Sequence, residues 1–320
     1  MLSAPLKKSP FARPKLLRDA SLLAVYDAMK ADPAVHLFGE GCEVKVHYDA
    51  PAIERDFAER VHTMPISEDG NVNFCVGAAL MGVKPICDVI SADFLYRAMD
   101  SICNTAAKLR GAGPIVIRAE FLLGGPTTGQ RPEAMFAHVP GLRVVIPSTP
   151  RDAYGLMRTA LATPGVTLYF EDRMIEDDGP WEDEDLTGWI PFDVPFGKAL
   201  VRNLGTQYTI VTYGVMRQRV ERIFNANDFR AEMLDLRSVY PLDIERIKDS
   251  VDISGRLLVI EPDVQAFGVG AEIVAQIAEQ MPHVRVKRLG ARRETAPAAP
   301  SLHKHFLPTD EEIINAIKSF

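Results

Sequence analysis

The chain has 320 residues, a formal net charge of −7 at neutral pH and 47% apolar residues. This length allows two domains of ordinary size, each with its own core. The acidic balance, together with the lack of a basic run interleaved with aromatic residues, excludes nucleic-acid binding as the main function. No apolar run reaches the length of a membrane span, so we expect neither nucleic acid nor a membrane as a partner.

The cysteine pattern indicates the redox environment of the protein. Four occur without a CxxC pair, and Cys75 and Cys87 lie in apolar stretches that predict buried thiols. The lack of a disulfide framework favours a reducing, cytoplasmic setting. Residues 1–18 hold five basic residues and no acidic one, which is compatible with a transit peptide. Because three prolines interrupt any amphipathic helix there, we favour a basic tail.

Strands and helices alternate along the first part of the chain, which predicts a mainly parallel sheet covered by helices on both faces. Residues 42–60 are polar and predicted to be irregular. The predicted elements are helices at 20–30, 71–81, 92–110, 134–138 and 150–162, and strands at 34–38, 60–64, 84–90, 113–118, 143–147 and 166–171.

An acid-rich segment separates this unit from a second α/β unit, giving domains at 1–175 and 197–320 joined by a linker at 176–196. The fold class is therefore α/β, with two three-layer α/β/α domains. The predicted elements of the second unit are strands at 208–213, 231–234, 256–261 and 284–289, and helices at 216–224, 268–280 and 309–318.

A carboxylate, Glu68, follows the strand at 60–64 and precedes a helix of small and apolar residues. That order places Glu68 at the carboxyl end of a strand, where ligands bind in open α/β sheets. The alternative is an ordinary acidic residue in the first turn of a helix, stabilised by the helix dipole.

Three motifs carry a family resemblance: Met-Pro-Ile-Ser-Glu-x-Gly at 64–70 with Val-Gly-Ala-Ala at 76–79, Asp-Leu-Arg-Ser-Val-Tyr-Pro-Leu-Asp at 235–243, and Phe-Gly-Val-Gly-Ala-Glu at 267–272. Over residues 17–320 the chain resembles the β subunits of 2-oxoacid dehydrogenase E1 components. The resemblance implies a transketolase-like pyrimidine-binding (Pyr) domain followed by a transketolase C-terminal domain. The Gly-x-Gly at 268–270 is too short for a dinucleotide fingerprint.

This resemblance implies thiamine diphosphate (ThDP) as the cofactor, and it implies that Glu68 shares a proton with N1′ of the aminopyrimidine ring. Phe94 falls on the family's ring-stacking phenylalanine, with Ile90 and Ile66 as further apolar contacts. Met64, Phe74 and Val76 are expected to complete an apolar pocket around Glu68. Glu40 matches a Gly-Glu turn near the cofactor. Core packing for Phe94 and an ordinary turn for Glu40 remain open alternatives.

No Gly-Asp-Gly with a downstream asparagine occurs in a position suited to a Mg²⁺-diphosphate group. The resemblance therefore implies an E1 α-type partner that holds the diphosphate and Mg²⁺ in an α2β2 heterotetramer. Some family members also bind K⁺ through carbonyls that correspond to positions near Ile115 and Ala160. Thr163 stands where an acid is usual.

Three departures from the family pattern concern the acceptor side of the site. Thr128, followed two residues later by Gln130, replaces a histidine that assists acyl transfer, and threonine is no acid or base near neutral pH. Arg97 replaces a neutral residue and can grip a carboxylate or phosphate, or it can be a solvated helix arginine. The segment 108–114 is shorter than its family counterpart.

We therefore expect a ThDP-dependent enzyme that decarboxylates a 2-oxoacid and passes the acyl unit to a lipoyl (E2) or other carrier acceptor. The alternative is a specialised two-component enzyme that transfers a ketol or acyl unit from a ketose phosphate, or an unusual oxoacid, to a carrier protein. A non-catalytic scaffold subunit is the third hypothesis, but it predicts loss of the glutamate that Glu68 preserves.

Overall fold

The computed structural model describes residues 16–40, 51–125, 127–173, 175 and 191–320. These residues form twelve β-strands and ten α-helices, besides short helical segments of other pitch. The strands are β1 Val35–Glu40, β2 Val61–Met64, β3 Lys84–Ser91, β4 Pro114–Phe121, β5 Leu142–Val145, β6 Gly165–Asp172, β7 Leu200–Asn203, β8 Tyr208–Thr212, β9 Ala231–Asp235, β10 Ser238–Tyr240, β11 Arg256–Val264 and β12 Arg285–Ala291. The α-helices are α1 Leu17–Ala31, α2 Pro51–Phe57, α3 Glu68–Leu80, α4 Glu133–Ala137, α5 Pro150–Ala162, α6 Val215–Asn225, α7 Ile244–Ser254, α8 Val269–Gln280, α9 Pro300–Phe306 and α10 Asp310–Lys318.

The first sheet has the strand order β10-β5-β6-β4-β3-β1-β2 within the described residues. Its first six strands in the chain are parallel, and β10 from the second half pairs antiparallel with β5. Helices α1 and α5 cover one face through Leu22, Leu23 and Tyr154, whereas α3 and the segment after β3 cover the other. The second half of the chain therefore completes an edge of the first sheet.

The second sheet has the order β12-β11-β8-β9-β7 in the part of the chain that the structure describes, with only the β7–β9 pair antiparallel. Helices α6 and α10 pack on one face around Val220 and Ile313. The other face carries α7 and α8, whose Ile247 and Ile273 belong to the same hydrophobic cluster as the first sheet's α3 side. The predicted fold class, two mainly parallel sheets with flanking helices, is confirmed.

The long helix predicted at 92–110 is wrong. The chain instead forms a 3₁₀ helix, Ala92–Ala98, and a π-helical segment, Ser101–Ala106, in which the amide of Ala107 donates to the carbonyl of Ile102 at 2.9 Å. Burial follows these pitches, since Ala92 and Leu95 are three residues apart. Apolar spacing alone does not separate a tight helix followed by a wide one from a single α-helix.

The prediction that residues 42–60 are irregular is also wrong for the residues described there. α2 begins at Pro51, and its Ile53 is buried in the cluster beneath α1. Proline in the first turn is compatible with a helix because it fixes φ near the helical value. The strands β7 and β10 and the helices α7 and α9 were not predicted at all; all four are short or polar.

The Gly-x-Gly at 268–270 surrounds a carboxylate of its own chain. The amide of Gly270 donates to Glu261 Oε2 at 2.9 Å, at the start of α8. A Cβ on Gly270 would lie 2.7 Å from Glu261 Oε1, and one on Gly268 would lie equally close to Glu261 Oε2. Glycine is required because the buried Glu261 side chain and the start of α8 approach so closely.

The segment 235–243 ties the two halves of the chain together. Asp235 Oδ1 accepts from Ser148 Oγ at 2.7 Å, and Arg237 Nη1 donates to Asp152 Oδ1 at 3.1 Å. All four side chains are buried or nearly so. Charge-assisted bonds of this kind fix register as well as contributing energy.

The structure describes little of the two charged segments. Most of the basic tail and most of the acidic linker lie outside the described residues, although Leu17 and Arg18 begin α1. The domain boundaries remain a prediction. None of the helices in the described part has the length and apolar character that crossing a bilayer requires.

Candidate functional site

The carboxyl ends of three adjacent strands define the candidate site. β1 lies between β2 and β3 in the first sheet, and the three strands are parallel. Their ends are therefore at the same edge, which is where ligands bind in open α/β sheets. Glu40 ends β1, Glu68 follows β2 after a short turn, and Ile90 lies at the end of β3.

Glu68 is the first residue of α3 and is only 6% exposed. It lines an open pocket of about 350 Å³, whose other wall residues are Ile66, Ser67, Asp69, Phe94 and Arg97. The first-turn position predicted by the alternative interpretation is therefore correct, yet Glu68 also borders a cavity. The two interpretations describe one residue, because a helix N-terminus at a sheet edge favours both an acid and a ligand.

Glu40 supports the turn that leads to Glu68. Its Oε1 accepts from the Ser67 amide at 3.3 Å and from Asn71 Nδ2 at 3.1 Å. Asn71 Nδ2 also donates to the Pro65 carbonyl at 3.0 Å. Burial, followed by the neighbouring Glu68 carboxylate, raises the pKa of Glu40. Glu40 thus lies directly behind Glu68, and Asn71 is a support that the sequence did not reveal.

The predicted apolar contacts are divided between the pocket and its surroundings. Ile66 is 86% exposed and lines the pocket, and half-buried Phe94 lines it from the 3₁₀ segment after β3. Met64, Phe74 and Val76 do not line it, contrary to expectation: Val76 is buried in the core and Phe74 packs on Phe38. Helical periodicity explains this result, because Phe74 and Val76 lie on other faces of α3 than Glu68.

Ile90 does not line the pocket; it lies at the end of β3 in a strained conformation, with φ of +56°. A β-branched residue in the left-handed region is a genuine outlier. The Asp88 carboxylate accepts a hydrogen bond from the Ile90 amide at 3.1 Å. The buried Arg118 donates to Asp88 and also to Glu171. Strain of this kind persists where surrounding bonds over-determine the backbone, and it is concentrated at functional sites.

Arg97 occupies the mouth of the pocket. Its Nε lies 3.6 Å from Glu68 Oε2, and its side chain is 78% exposed while that of Glu68 is 7% exposed. Because most of the guanidinium faces solvent, its hydrogen-bonding edge is accessible to an anion. The arginine is therefore neither a purely solvated side chain nor a buried structural one.

Thr128 and Gln130 do not line the pocket, but a buried residue connects their loop to it. Asp93 accepts from the Gly129 amide at 3.1 Å and from the Gln130 amide at 2.9 Å. Thr128 Oγ1 accepts from the Gly125 amide at 3.0 Å, so its hydroxyl shapes the loop. Asp93 precedes Phe94, and the sequence signal that identifies it is a single acid within a buried apolar run.

Metal sites find little support in the described residues, which hold no cluster of three or more His, Cys, Asp or Glu side chains suited to an ion. Near the suggested K⁺ position, the Ala160 carbonyl accepts the Thr163 amide at 3.4 Å. Arg143 Nη2 donates to the carbonyls of Thr163 and Pro164 at 3.2 and 2.9 Å. A guanidinium therefore occupies this turn, and K⁺ binding at Ile115 and Ala160 remains a prediction.

Comparison with known proteins identifies the family to which the chain belongs. Residues 14–175 match the family model of the transketolase pyrimidine-binding domain, and residues 197–313 match that of the transketolase C-terminal domain. A 2-oxoisovalerate dehydrogenase subunit beta of Bacillus subtilis is 32% identical, over 94% of this chain and 96% of that protein. A pyruvate dehydrogenase E1 component subunit beta of Rickettsia bellii is 30% identical, over 94% and 97% of the two chains.

Among solved structures, the fold is similar to that of a split-gene transketolase described as an inactive β4 tetramer, with a TM-score of 0.82 and 20% identity over 96% of this chain and 98% of that one. The paired domains and the shared sheet architecture define a transketolase-like protein. Within that class, the chain belongs to the family of β subunits of 2-oxoacid dehydrogenase E1 components.

Proposed function

We propose that this chain is the β subunit of a ThDP-dependent E1-type enzyme that decarboxylates a 2-oxoacid together with an α-type partner. The observation that carries the proposal is the buried Glu68 carboxylate at the carboxyl edge of three parallel strands, lining a pocket whose apolar walls are exposed Ile66 and half-buried Phe94. An acid beside apolar surface is what an aminopyrimidine ring requires of a protein.

Each residue of the pocket has a separate task. With the cofactor bound, Glu68 would hydrogen-bond a nitrogen of the pyrimidine ring, and Glu40 keeps the Glu68 turn in place through the Ser67 amide. Phe94 and Ile66 offer ring-sized apolar contact and exclude water, while Ile90 lies outside the pocket lining, at the end of β3 on its anchored backbone. When bound, ThDP supplies the nucleophile and the electron sink for decarboxylation.

An exposed apolar strip supports the α-type partner. The strip consists of Ile66, Phe74, Leu80 and Met81, which are between 52% and 86% exposed and lie on α3 or within two residues of its ends. Exposed apolar surface beside a ligand pocket is typical of an interface. We propose that the partner covers this strip and holds the diphosphate and Mg²⁺ in an α2β2 assembly, and that the acyl unit passes to a lipoyl-bearing acceptor.

The test uses the chain co-purified with an α subunit from a family member or a neighbouring gene. Decarboxylation of pyruvate and branched 2-oxoacids is measured with an artificial electron acceptor, for Glu68→Gln and for Glu59→Gln as a matched control, since Glu59 is exposed and outside the pocket. We expect Glu68→Gln to lose at least about 100-fold in turnover and Glu59→Gln to match the wild type. Unchanged turnover in Glu68→Gln would contradict the assignment.

Arg97 favours a second candidate function. Its exposed guanidinium at the pocket mouth suits a substrate that carries a second anionic group. Pyruvate has only its carboxylate. The candidate is transfer of a ketol or acyl unit from a ketose phosphate, or an unusual oxoacid, to a carrier protein. Turnover of ketose phosphate that is about tenfold weaker in Arg97→Gln, with pyruvate turnover unaltered, would select this second function.

A further inference from the structure

A pocket unconnected with Glu68 lies at the carboxyl edge of the second sheet. It has a volume of about 400 Å³ and forms where β11 and β12 end, between them and the chain around α9 and α10. None of the residues that line it also lines the Glu68 pocket. Its lining includes Gln265, Arg288, Arg292, Arg293, Phe306 and Glu312.

An irregularity in strand pairing opens this pocket. Ile260 pairs with Leu289 and Val264 pairs with Ala291, so between these pairs β11 advances four residues and β12 advances two. The bulge fits only because Gly290 has no side chain, since a Cβ there would lie 2.8 Å from the Asp263 carbonyl and the Gln265 backbone. Bulges at the ends of strands re-aim the chain and are frequent beside binding sites.

Three arginines supply the charge of the pocket. Arg288 Nη1 donates to the Gln265 carbonyl at 2.7 Å, which holds the bulge and fixes that guanidinium. Arg292 is exposed and pairs with Glu312 at 3.4 Å, a distance at which an exposed pair contributes little. Among the described residues, Arg293 has no ion pair or hydrogen bond. Three cations thus face one lining carboxylate in a chain whose net charge is −7.

Burial weakens the negative charge of two acids on β11. Desolvation, followed by the Glu133 carboxylate, raises the pKa of both Glu261 and Asp263, which favours their neutral forms. One wall is apolar, because half-buried Leu307 and buried Phe306 line the same cavity. A cationic pocket of this size with one apolar wall matches a small molecule that has a compact dianionic group and a short carbon body.

We propose that this pocket binds a small phosphate-bearing molecule. A phosphate group has three oxygens for several guanidinium forks, whereas a single carboxylate satisfies one fork. The carboxyl edge of a mainly parallel sheet is also where α/β domains bind ligands. The proposed site is separate from the proposed cofactor site and does not depend on it.

The experiment is isothermal titration calorimetry of the purified full-length chain with inorganic phosphate, in a chloride buffer of fixed ionic strength. The variants are Arg293→Ala, the double variant Arg292→Ala/Arg293→Ala, and the control Arg230→Ala. Arg230 is an exposed arginine just before β9, at the amino ends of the parallel strands of the same sheet and therefore at the end opposite the pocket. All four proteins are first compared by circular dichroism and thermal unfolding.

We expect saturable binding to wild type and Arg230→Ala, at least fivefold weaker binding to Arg293→Ala, and no measurable binding to the double variant. If the double variant does not fold, Arg293→Ala alone decides, because its side chain is exposed and unbonded within the described structure. Absence of saturable binding to the wild type, or equal affinities for wild type and Arg293→Ala, would overturn the proposal.

Discussion

The Nε of Arg97 lies 3.6 Å from the Oε2 of Glu68, so a solvent-exposed guanidinium is paired with the buried acid of the candidate site. The pair spans the boundary between the pocket and solvent. The Coulomb energy of an ion pair is small when one partner is exposed to water, and a long side chain loses conformational freedom when the pair holds it in place. The position of Arg97 therefore calls for an explanation other than folding stability.

The first prediction concerns this pair. Arg97→Gln is expected to change the free energy of unfolding by less than about 1 kcal/mol, because exposed pairs contribute little. Urea denaturation followed by circular dichroism measures the change, with Arg222→Ala, which breaks the exposed pair with Asp310, as the control. A loss above about 2 kcal/mol in Arg97→Gln alone would show that the arginine is structural.

Arg118 is expected to behave in the opposite way. It is buried, binds Asp88 and Glu171, and lies 3.5 Å from Glu120. Arg118→Met leaves these carboxylates without their cation, which costs roughly 3–5 kcal/mol when a buried partner is removed. Denaturation at neutral pH measures the loss. If the loss resembles that of Arg222→Ala, the buried network does not contribute to stability.

Gly129 tests the contact between the Thr128 loop and the second half of the chain. Its φ is +105°, and an added Cβ would lie 2.8 Å from the Ala296 Cβ. Gly111 also has a positive φ, +84°, but an added Cβ would meet nothing within 4 Å. We expect Gly129→Ala to lower the melting temperature further than Gly111→Ala, since both carry backbone strain and only one adds a clash. Equal shifts would show that backbone strain alone matters.

The raised pKa of Glu261 predicts that the free energy of unfolding depends on pH. Burial, followed by Glu133, raises its pKa from 4.5 to about 8. Between these values the folded state binds a proton that the unfolded state has released. The stabilisation from this group is therefore complete below about pH 4.5 and is lost as the pH rises through 8.

Glu261→Gln removes this titration and keeps an acceptor for the Gly270 amide. Between pH 6 and 9 we expect the free energy of unfolding to fall less in Glu261→Gln than in the wild type. The difference between the two changes should exceed about 1 kcal/mol. Urea denaturation at several pH values measures this slope, and exposed Glu245→Gln is the control. Parallel slopes for Glu261→Gln and the wild type would rule out the shifted pKa.

Sequence reasoning succeeded where period and family motif agreed. Helix α5 was predicted at the bounds observed, and Glu68, Ile66, Phe94 and Arg97 do line one pocket. The segment after β3 was mispredicted because a 3₁₀ turn followed by a π-helical turn gives an average apolar spacing close to that of one α-helix. The roles of those four side chains remain predictions.

What escaped prediction depends on contacts between distant residues. Asp93 acts through the amides of Gly129 and Gln130, and amide donors leave no mark in a sequence. The arginine-rich pocket depends on a bulge opposite Gly290, which period-two patterns do not show. Local propensity specifies elements, whereas long-range pairing specifies which side chains meet.

Strand β10, Ser238–Tyr240, has one further consequence. Because it hydrogen-bonds to β5, the first sheet obtains its last strand from residues that follow the acidic segment. A fragment ending at residue 175 would leave the backbone of β5 bare, and uncovered strands recruit other chains into aggregates. Cutting the protein at its sequence boundary would therefore not yield two autonomous pieces, and the halves have to be studied as one folding unit.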